Sequence, residues 1–262
     1  VYFCLLQKKS SIENSNSMQK FGLIGKSLVH SFSKKYFTEK FEKEAIDATY
    51  ELLSLNNLNE LRNIIQQESF CGLNVTIPYK TVVLPLLNDI DDKARNIGAV
   101  NVIQITQKQN DVYLKGFNTD VIGFKNSLKP LLKSWHKNAL VLGTGGAAKA
   151  ICFVLKELGI NIQLVSRRKT SDTITYEEIN EEIIKTNLLI VNTTPLGTFP
   201  NIESCPNIPY EFLTDKHLLF DLVYNPAQTL FLQKGLQHGT SVKNGYDMLI
   251  EQAEAAWKIW NL

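Results

Sequence analysis

Four short segments in the first half of the chain carry the side chains best suited to chemistry. Lys80 and Asp120 stand in two of them, and an ammonium with a neighbouring carboxylate can move a proton to or from a reacting oxygen. The hydroxyl and amide groups that accompany them suit hydrogen bonding to a carboxylate and several hydroxyls. The segments are Gly22-Leu23-Ile24-Gly25 with His30-Ser31-Phe32-Ser33, then Asn74-Val75-Thr76-Ile77-Pro78-Tyr79-Lys80, Gly98-Ala99-Val100-Asn101 and Gly116-Phe117-Asn118-Thr119-Asp120.

Each of these residues also has an ordinary structural role open to it. Ser31 and Ser33 could cap a helix, Asn101 could occupy a turn, and Lys80 or Asp120 could be a solvated surface charge. Folds of the α/β class place their ligands where strands end, and the polar residues cluster at the ends of strand-like runs. We therefore interpret the four segments as parts of one ligand site.

A glycine-rich stretch in the second half indicates a different kind of site. The apolar run from Ala139 to Leu142 leads into Gly143-Thr144-Gly145-Gly146-Ala147-Ala148, followed by a helix-like stretch and a strand-like run. In such a unit Gly143 takes the sharp turn, Gly145 lets backbone amides approach a pyrophosphate, and Ala148 keeps the helix close to the sheet. We predict a dinucleotide site here, with an ordinary turn that binds nothing as the alternative.

The residues at the end of the following strand indicate whether the cofactor is NAD or NADP. An acidic residue there would accept a hydrogen bond from a ribose 2′-hydroxyl, whereas this chain has Ser166-Arg167-Arg168-Lys169. An arginine fork matches a phosphate, and the Ser166 hydroxyl adds a donor. The segment favours NADP over NAD, unless these charges only solvate a loop.

Composition narrows the possible classes of protein. With 262 residues, 44% of them hydrophobic and 21% charged, the chain can form a core, and disorder as its main state is excluded. The net charge of +2 and a longest basic run of three residues exclude a nucleic-acid partner. Four cysteines without metal-ligand spacing fit reduced thiols in the cytoplasm, and the four histidines indicate no metal site. No apolar stretch approaches the roughly 20 residues that cross a bilayer.

Alternating strand-like and helix-like runs predict two α/β domains. We expect a substrate-binding domain over 18–119, a Rossmann-type domain over 120–244, and a last helix over 245–262 that packs back onto the first domain. Residues 1–17 are interpreted as an extension, with Met18 as the natural start. The expected strands are Phe21–Ile24, Tyr50–Leu53, Gly72–Thr76, Val102–Thr106, Val112–Phe117, Ala139–Leu142, Asn161–Val165, Leu188–Val191, Leu218–Val223 and Ser241–Lys243. The expected helices are Lys34–Ala45, Leu58–Gln67, Ala150–Leu155, Tyr176–Thr186, Thr229–Gln237 and Tyr246–Trp260.

These motifs, in this order, resemble the shikimate dehydrogenase family from about Phe21 to Trp260. The resemblance adds the segments Asn192–Gly197, Asp221–Pro226 and Asn244–Met248. It implies an NADP-dependent enzyme of chorismate and aromatic amino acid biosynthesis, with a mostly parallel sheet in the first domain and the active site in the cleft. The implied substrate-binding residues are Ser31, Ser33, Thr76, Lys80, Asn101, Asp120, Tyr224 and Gln252. The implied cofactor-binding residues are Gly143, Gly145, Gly146, Ala147, Ala148, Ser166, Arg167, Arg168, Thr193, Gly245 and Met248.

Within this resemblance, the reaction is the reversible reduction of 3-dehydroshikimate to shikimate. Lys80 is expected to be the general acid and base, with Asp120 orienting it. One alternative is a quinate/shikimate dehydrogenase that uses NAD, and another is a catalytically silent NADP-sensing protein on the same fold. The expected assembly is a monomer or a homodimer.

Overall fold

Two six-stranded sheets, one from each half of the chain, dominate the computed structural model, which describes residues 18–28, 31–109 and 111–262. Apolar side chains pack against both sheets, and some clusters join the halves: one contains Ala99 together with Val141 and Phe220, and another contains Phe21 together with Trp260. Within these residues, no helix is at once long and apolar enough to cross a bilayer. The expected extension over 1–17 lies outside the described residues.

The first sheet has the strand order β2-β1-β3-β5-β6-β4. Pairs β1–β2, β1–β3 and β4–β6 are parallel, and pairs β3–β5 and β5–β6 are antiparallel. Its strands are β1 (Gln19–Gly25), β2 (Ala48–Ser54), β3 (Phe70–Val75), β4 (Asp89–Ile90), β5 (Val102–Gln107) and β6 (Val112–Phe117). Its helices are α1 (Phe32–Lys43), α2 (Leu61–Glu68) and α3 (Asp92–Ile97).

The second sheet is parallel throughout, in the order β9-β8-β7-β10-β11-β12. This is the doubly wound dinucleotide-binding order, whose switch point lies between β7 and β10. Its strands are β7 (Asn138–Leu142), β8 (Asn161–Val165), β9 (Thr173–Ile174), β10 (Leu189–Asn192), β11 (Leu218–Asp221) and β12 (Ser241–Lys243). The helices are α4 (Asp120–Leu128), α5 (Gly146–Glu157), α6 (Glu181–Thr186), α7 (Leu230–Gln237) and α8 (Tyr246–Trp260). Short 3-10 turns lie at Leu84–Leu86, Lys129–Leu131, Tyr176–Glu178 and Tyr210–Phe212.

Helix α8 touches both halves. At its end Trp260 stacks on Phe21 with ring centroids 4.9 Å apart and donates from Nε1 to the Ile103 carbonyl at 3.0 Å. At its start the backbone of Met248 lies so close to Gly123 of α4 that a Cβ on that glycine would overlap the Met248 carbonyl oxygen. The α8 residues between these two contacts are therefore held at the junction of the halves.

The expected continuous helix over Tyr176–Thr186 is wrong. The chain forms a 3-10 turn, closed by a capping box between Thr175 and Glu178, and restarts as α6 with Asn180 as its N-cap. Ile179 between them is extended, so local side-chain caps outweigh the helical period of this stretch. Strand β11 also ends at Asp221, two residues earlier than expected.

Two buried histidines, His136 before β7 and His217 before β11, lie at the amino ends of inner strands of the second sheet. In each, Nδ1 accepts a backbone N–H at 3.0 Å while Nε2 lies 3.0–3.1 Å from a backbone carbonyl. Both hydrogen bonds are satisfied by the neutral ring with its proton on Nε2. Burial lowers the pKa of His136 and of His217, because neither site has room to solvate a second proton.

Candidate active site

Lys80 and Asp120 form a buried ion pair. Lys80 lies in the turn after β3, Asp120 is the first residue of α4, and Lys80 Nζ donates to Asp120 Oδ2 at 2.6 Å. Their side chains are 15% and 2% exposed. A charge this deeply buried needs a partner, and the N-terminus of α4 adds a favourable field for the carboxylate. Most of the remaining exposure belongs to the lysine, so Lys80 is the partner that faces out.

Asn101 organises the carboxylate side of this pair. Its Nδ2 lies 2.8 Å from Asp120 Oδ1, 3.1 Å from Thr119 Oγ1 and 3.1 Å from Gln252 Oε1. Its Oδ1 accepts the Thr119 backbone N–H at 2.7 Å. Asn101 is 2% exposed and already saturated by these partners. It joins Asp120 to Gln252 of α8, so three of the predicted substrate residues meet in one hydrogen-bonded cluster.

A line of neutral hydrogen bonds leads from α1 to this cluster. A hydrogen bond from the Ser33 hydroxyl opposes the burial that raises the pKa of Tyr50. Tyr50 donates to Asn74 Oδ1 at 2.7 Å, and Asn74 Nδ2 donates to the Asn101 carbonyl at 3.4 Å. Ser31 instead accepts the backbone N–H three residues later at 3.3 Å as the N-cap of α1, which was its ordinary structural alternative.

The predicted residue Thr76 follows β3, and its backbone N–H donates to the Ile24 carbonyl at 2.9 Å.

Two supporting residues, Asn118 and Tyr50, were not predicted as site residues. Asn118 accepts the Asp120 N–H at 3.1 Å and donates to the Ala99 carbonyl at 2.9 Å, which fixes the start of α4. Asn118 stands inside a motif and could have been found from it. Tyr50 carries no such signal, because only strand pairing brings it to Asn74.

A groove of about 1040 Å³ adjoins the ion pair. Its volume is at the upper end of the range for ligand pockets. Lys80 lines it from the first half of the chain, so this lysine borders both the groove and the polar cluster. The other lining residues are Ile77, Pro78, Thr81, Gly143, Thr144, Gly145, Gly146, Ala147, Val165, Ser166, Arg167, Arg168, Tyr176, Thr193, Thr194, Pro195 and Leu196.

The glycine turn in this groove has the shape of a dinucleotide cradle. Gly143 has φ +110, and a Cβ there would lie 2.6 Å from Thr193 Oγ1, so only glycine fits. A Cβ on Gly145 would meet no protein atom within 4 Å, which leaves the N-terminus of α5 open to the groove. Backbone amides at such a helix end bind pyrophosphate. The residues present therefore fit a dinucleotide.

Two arginines at the end of β8 are available to an anion. Lys169 pairs with Glu178, whereas Arg167 and Arg168 line the groove and form no ion pair with any residue that the structure describes. The backbone N–H of Arg168 donates to Ser166 Oγ at 3.3 Å, which orients the hydroxyl. Guanidinium groups without carboxylate partners suit a phosphate.

Comparison with known proteins decides the family. Residues 23–103 match the model of the shikimate dehydrogenase substrate binding domain. A shikimate dehydrogenase (NADP(+)) from Clostridium beijerinckii is 40% identical over 256 residues, which cover 93% of this chain and 92% of that protein. The chain belongs to the shikimate dehydrogenase family. A Methanococcus vannielii relative of the same name is 33% identical over 91% of this chain and 90% of its own length. The crystal structure of shikimate 5-dehydrogenase from Thermus thermophilus in complex with NADP(H) and shikimate superimposes with a TM-score of 0.79 at 29% identity, covering 93% of each chain.

The predicted family, the enzyme class and the α/β fold are thereby confirmed for this shikimate dehydrogenase family member. The domain limits 18–119, 120–244 and 245–262 and the roles of individual site residues stay predictions. Of the predicted cofactor-binding residues, Ala148, Gly245 and Met248 lie outside the groove lining, and of the predicted substrate-binding residues only Lys80 belongs to it. Ala148 and Met248 are buried in the core at 1% and 5% exposure, Gly245 packs against Leu222, and Tyr224 contacts the ring of Phe32 at 5.6 Å.

A buried carboxylate without a predicted role lies behind the groove of this family member. Asp221 accepts from Asn192 Nδ2 at 2.9 Å, from the Val223 N–H at 3.0 Å and from Thr229 Oγ1 at 2.5 Å. Burial raises its pKa to about 6, and these three donors oppose the rise. Asp221 ties the loop that carries Thr193 to the loop that carries Tyr224.

Proposed function

We propose that this chain catalyses the NADP-dependent, reversible reduction of 3-dehydroshikimate to shikimate. The observation that carries the proposal is the position of the Lys80 and Asp120 ion pair, between a cluster of neutral polar side chains and a dinucleotide-shaped groove. The relatives named above are shikimate dehydrogenases (NADP(+)), and their similarity extends over nearly the whole chain. The reaction belongs to chorismate and aromatic amino acid biosynthesis.

Bound NADPH supplies the hydride that reduces the ring ketone. The residues of this chain supply the proton: Lys80 donates it to the carbonyl oxygen as negative charge develops there. Asp120 holds the ammonium in place through the 2.6 Å contact. In the oxidative direction the neutral amine takes the proton back from the hydroxyl.

Substrate recognition falls to neutral groups around the pair. Gln252 and the first turn of α1, with Ser31 and Ser33, can hydrogen-bond a carboxylate and ring hydroxyls without adding charge. We assign Asn101 the role of orienting Asp120 and Gln252, since its side-chain NH₂ group donates to both of them. Thr76 contributes its hydroxyl. Its methyl group packs against Gly25, in the space that a Cβ on that glycine would occupy.

Cofactor choice is tested at the two groove arginines. Arg167→Ala should raise the Michaelis constant for NADPH by about 10- to 100-fold, as expected for a charged hydrogen bond, and change that for NADH little. Lys169→Ala is the matched control, because Lys169 is already paired with Glu178. Equal effects of Arg167→Ala on both cofactors would refute the phosphate assignment.

The reaction itself is tested by following reduced nicotinamide absorbance with shikimate and NADP, and in parallel with quinate and NAD. Lys80→Ala should lower turnover by roughly 100- to 10,000-fold while NADP binding persists. Faster turnover of quinate with NAD would instead identify the dual-specificity alternative. NADP binding without any turnover would identify the silent sensor. The cytoplasmic location and the monomeric or dimeric state stay predictions.

A further inference from the structure

The proton donor of one half of the chain lies directly on the cofactor turn of the other half. A Cβ built on Gly146, the first residue of α5, would lie 3.0 Å from Lys80 Cβ, 3.6 Å from its Cδ and 3.8 Å from its Cγ. Carbon atoms in favourable contact are about 3.5–4.0 Å apart. The stem of Lys80 therefore crosses the N-terminus of α5. It occupies the space that the side chain of any residue larger than glycine would need at position 146.

A second contact joins the N-terminal turn of α5 to the backbone beside Lys80 in the first half of the chain. Lys149, one turn after Gly146, donates from Nζ to the Gly98 carbonyl at 3.3 Å. The Val100 N–H donates to the Lys80 carbonyl at 2.7 Å, so Gly98 and Lys80 belong to one hydrogen-bonded piece of backbone. The first turn of α5 thus touches this piece at two points.

We propose that Gly146 is a positioning residue for Lys80. Because it has no side chain, the first turn of α5 can serve as the surface on which the lysine stem rests. The cofactor turn then sets where the ammonium stands relative to the groove, in addition to any contact with the dinucleotide. This inference rests on the proposed function, in which Lys80 is the general acid.

A methyl group at Gly146 would have to displace the lysine stem. Restoring an ordinary contact from 3.0 Å needs a shift of about 0.5 Å. The contacting atom is Lys80 Cβ, next to the backbone, so the flexible end of the side chain cannot absorb the shift. A misplacement of about 1 Å can cost on the order of 100-fold in rate, so a loss near 10-fold in kcat is expected for Gly146→Ala.

The matched control is Gly145→Ala, which adds the same methyl group one residue earlier. Gly145 has φ −75, and its Cβ would meet no protein atom within 4 Å, so neither strain nor a clash with Lys80 arises. Its methyl group projects toward open space, and the expected loss is in NADPH affinity. Affinity is measured without substrate, from the fluorescence of bound NADPH, and thermal unfolding verifies that both variants fold.

The expected result for Gly146→Ala is a kcat lowered about 10-fold with saturating NADPH, beyond any change in the dissociation constant for NADPH, and a larger solvent deuterium isotope effect. Kinetics in which both glycine variants lose affinity and kcat in the same proportion would overturn the proposal. Near-normal turnover of Lys80→Ala would overturn the proposed function instead.

Should Gly146→Ala fail to fold, Lys149→Met tests the same docking from an exposed position. It keeps the stem and removes the hydrogen bond to the Gly98 carbonyl. A kcat lowered about 2- to 5-fold, with a larger solvent isotope effect and NADPH affinity little changed, supports the proposal. An unchanged kcat and isotope effect overturn it.

Discussion

Replacing Asp120 with asparagine tests the central ion pair with the smallest change of shape. Asp120 Oδ2 accepts from Lys80 Nζ and Oδ1 accepts from Asn101 Nδ2. The asparagine amide has one acceptor oxygen, which can accept from only one of these two donors. Its NH₂ group, itself a donor, then faces the other one. Because the Asp120 side chain is 2% exposed, water cannot supply the missing hydrogen bond. Whichever way the amide is oriented, two buried donors are left facing each other.

The cost follows from these contacts. An unsatisfied buried polar group costs about 1–3 kcal/mol, and breaking a buried ion pair by removing one partner costs about 3–5 kcal/mol. The 15% exposure of Lys80 lets water relieve part of the lost pairing, so the lower end applies. We expect Asp120→Asn to lower the free energy of unfolding by about 3 kcal/mol and kcat/KM by on the order of 100-fold, since the lysine is no longer oriented.

Urea unfolding and steady-state rates of shikimate oxidation measure the two quantities. Asp92→Asn is the matched control, because Asp92 is likewise the first residue of a helix but is exposed. It should lose only the helix-dipole contribution, about 0.3–1 kcal/mol, and no activity. An Asp120→Asn enzyme with kcat/KM within about 3-fold of the parent would contradict the assigned role of the carboxylate.

Three further predictions concern the scaffold. Gly72→Ala should lower the free energy of unfolding by about 1–3 kcal/mol in thermal unfolding, because its Cβ would overlap the Trp260 ring; an unchanged midpoint would contradict this packing. Stability should fall as pH drops from about 7.5 to 5.5, through the unfolded histidine pKa near 6.5, because burial lowers the folded pKa of His217; His217→Gln should flatten that dependence in urea titrations, and an unflattened curve would contradict it. Tyr50→Phe leaves Asn74 Oδ1 without its donor and should cost about 1 kcal/mol, raising KM for shikimate but not for NADPH in steady-state assays; a change in both would contradict the path to the substrate side.

Strong local patterns made much of the fold predictable. Strands Val112–Phe117, Asn161–Val165 and Ser241–Lys243 and helix Tyr246–Trp260 have the bounds that their periodicity predicted. In Val112–Phe117 and Tyr246–Trp260, buried residues recur at the period of the element, so burial and local preference agree. The two-residue strands Asp89–Ile90 and Thr173–Ile174 were not predicted, because pairing at a sheet edge leaves no local period.

The residues of the site could be predicted from sequence motifs, but the contacts among them depend on tertiary structure. Lys80 and Asp120 come from different segments and meet only when β3 and α4 are docked side by side. Tyr50 was missed because its hydroxyl matters only through the pairing of β1 with both β2 and β3, which brings Tyr50 within hydrogen-bond distance of Asn74. Asp221 was noted as part of a segment, yet its burial and three donors depend on loops distant in sequence.

The contacts on either side of Lys80 explain why the two sheets must be docked for the proposed chemistry. Lys80 belongs to the loop after β3 of the first sheet and pairs with Asp120, which Asn101 and Asn118 hold beside β5 and β6 of that same sheet. The ion pair is therefore built within the first half, whereas the lysine stem rests on Gly146 of the second half. A separation of the halves would draw Gly146, and the groove with it, away from the ion pair. Under the proposed function, proton transfer is then restricted to the arrangement in which the groove and the polar cluster share Lys80, so cofactor placement and acid catalysis are coupled.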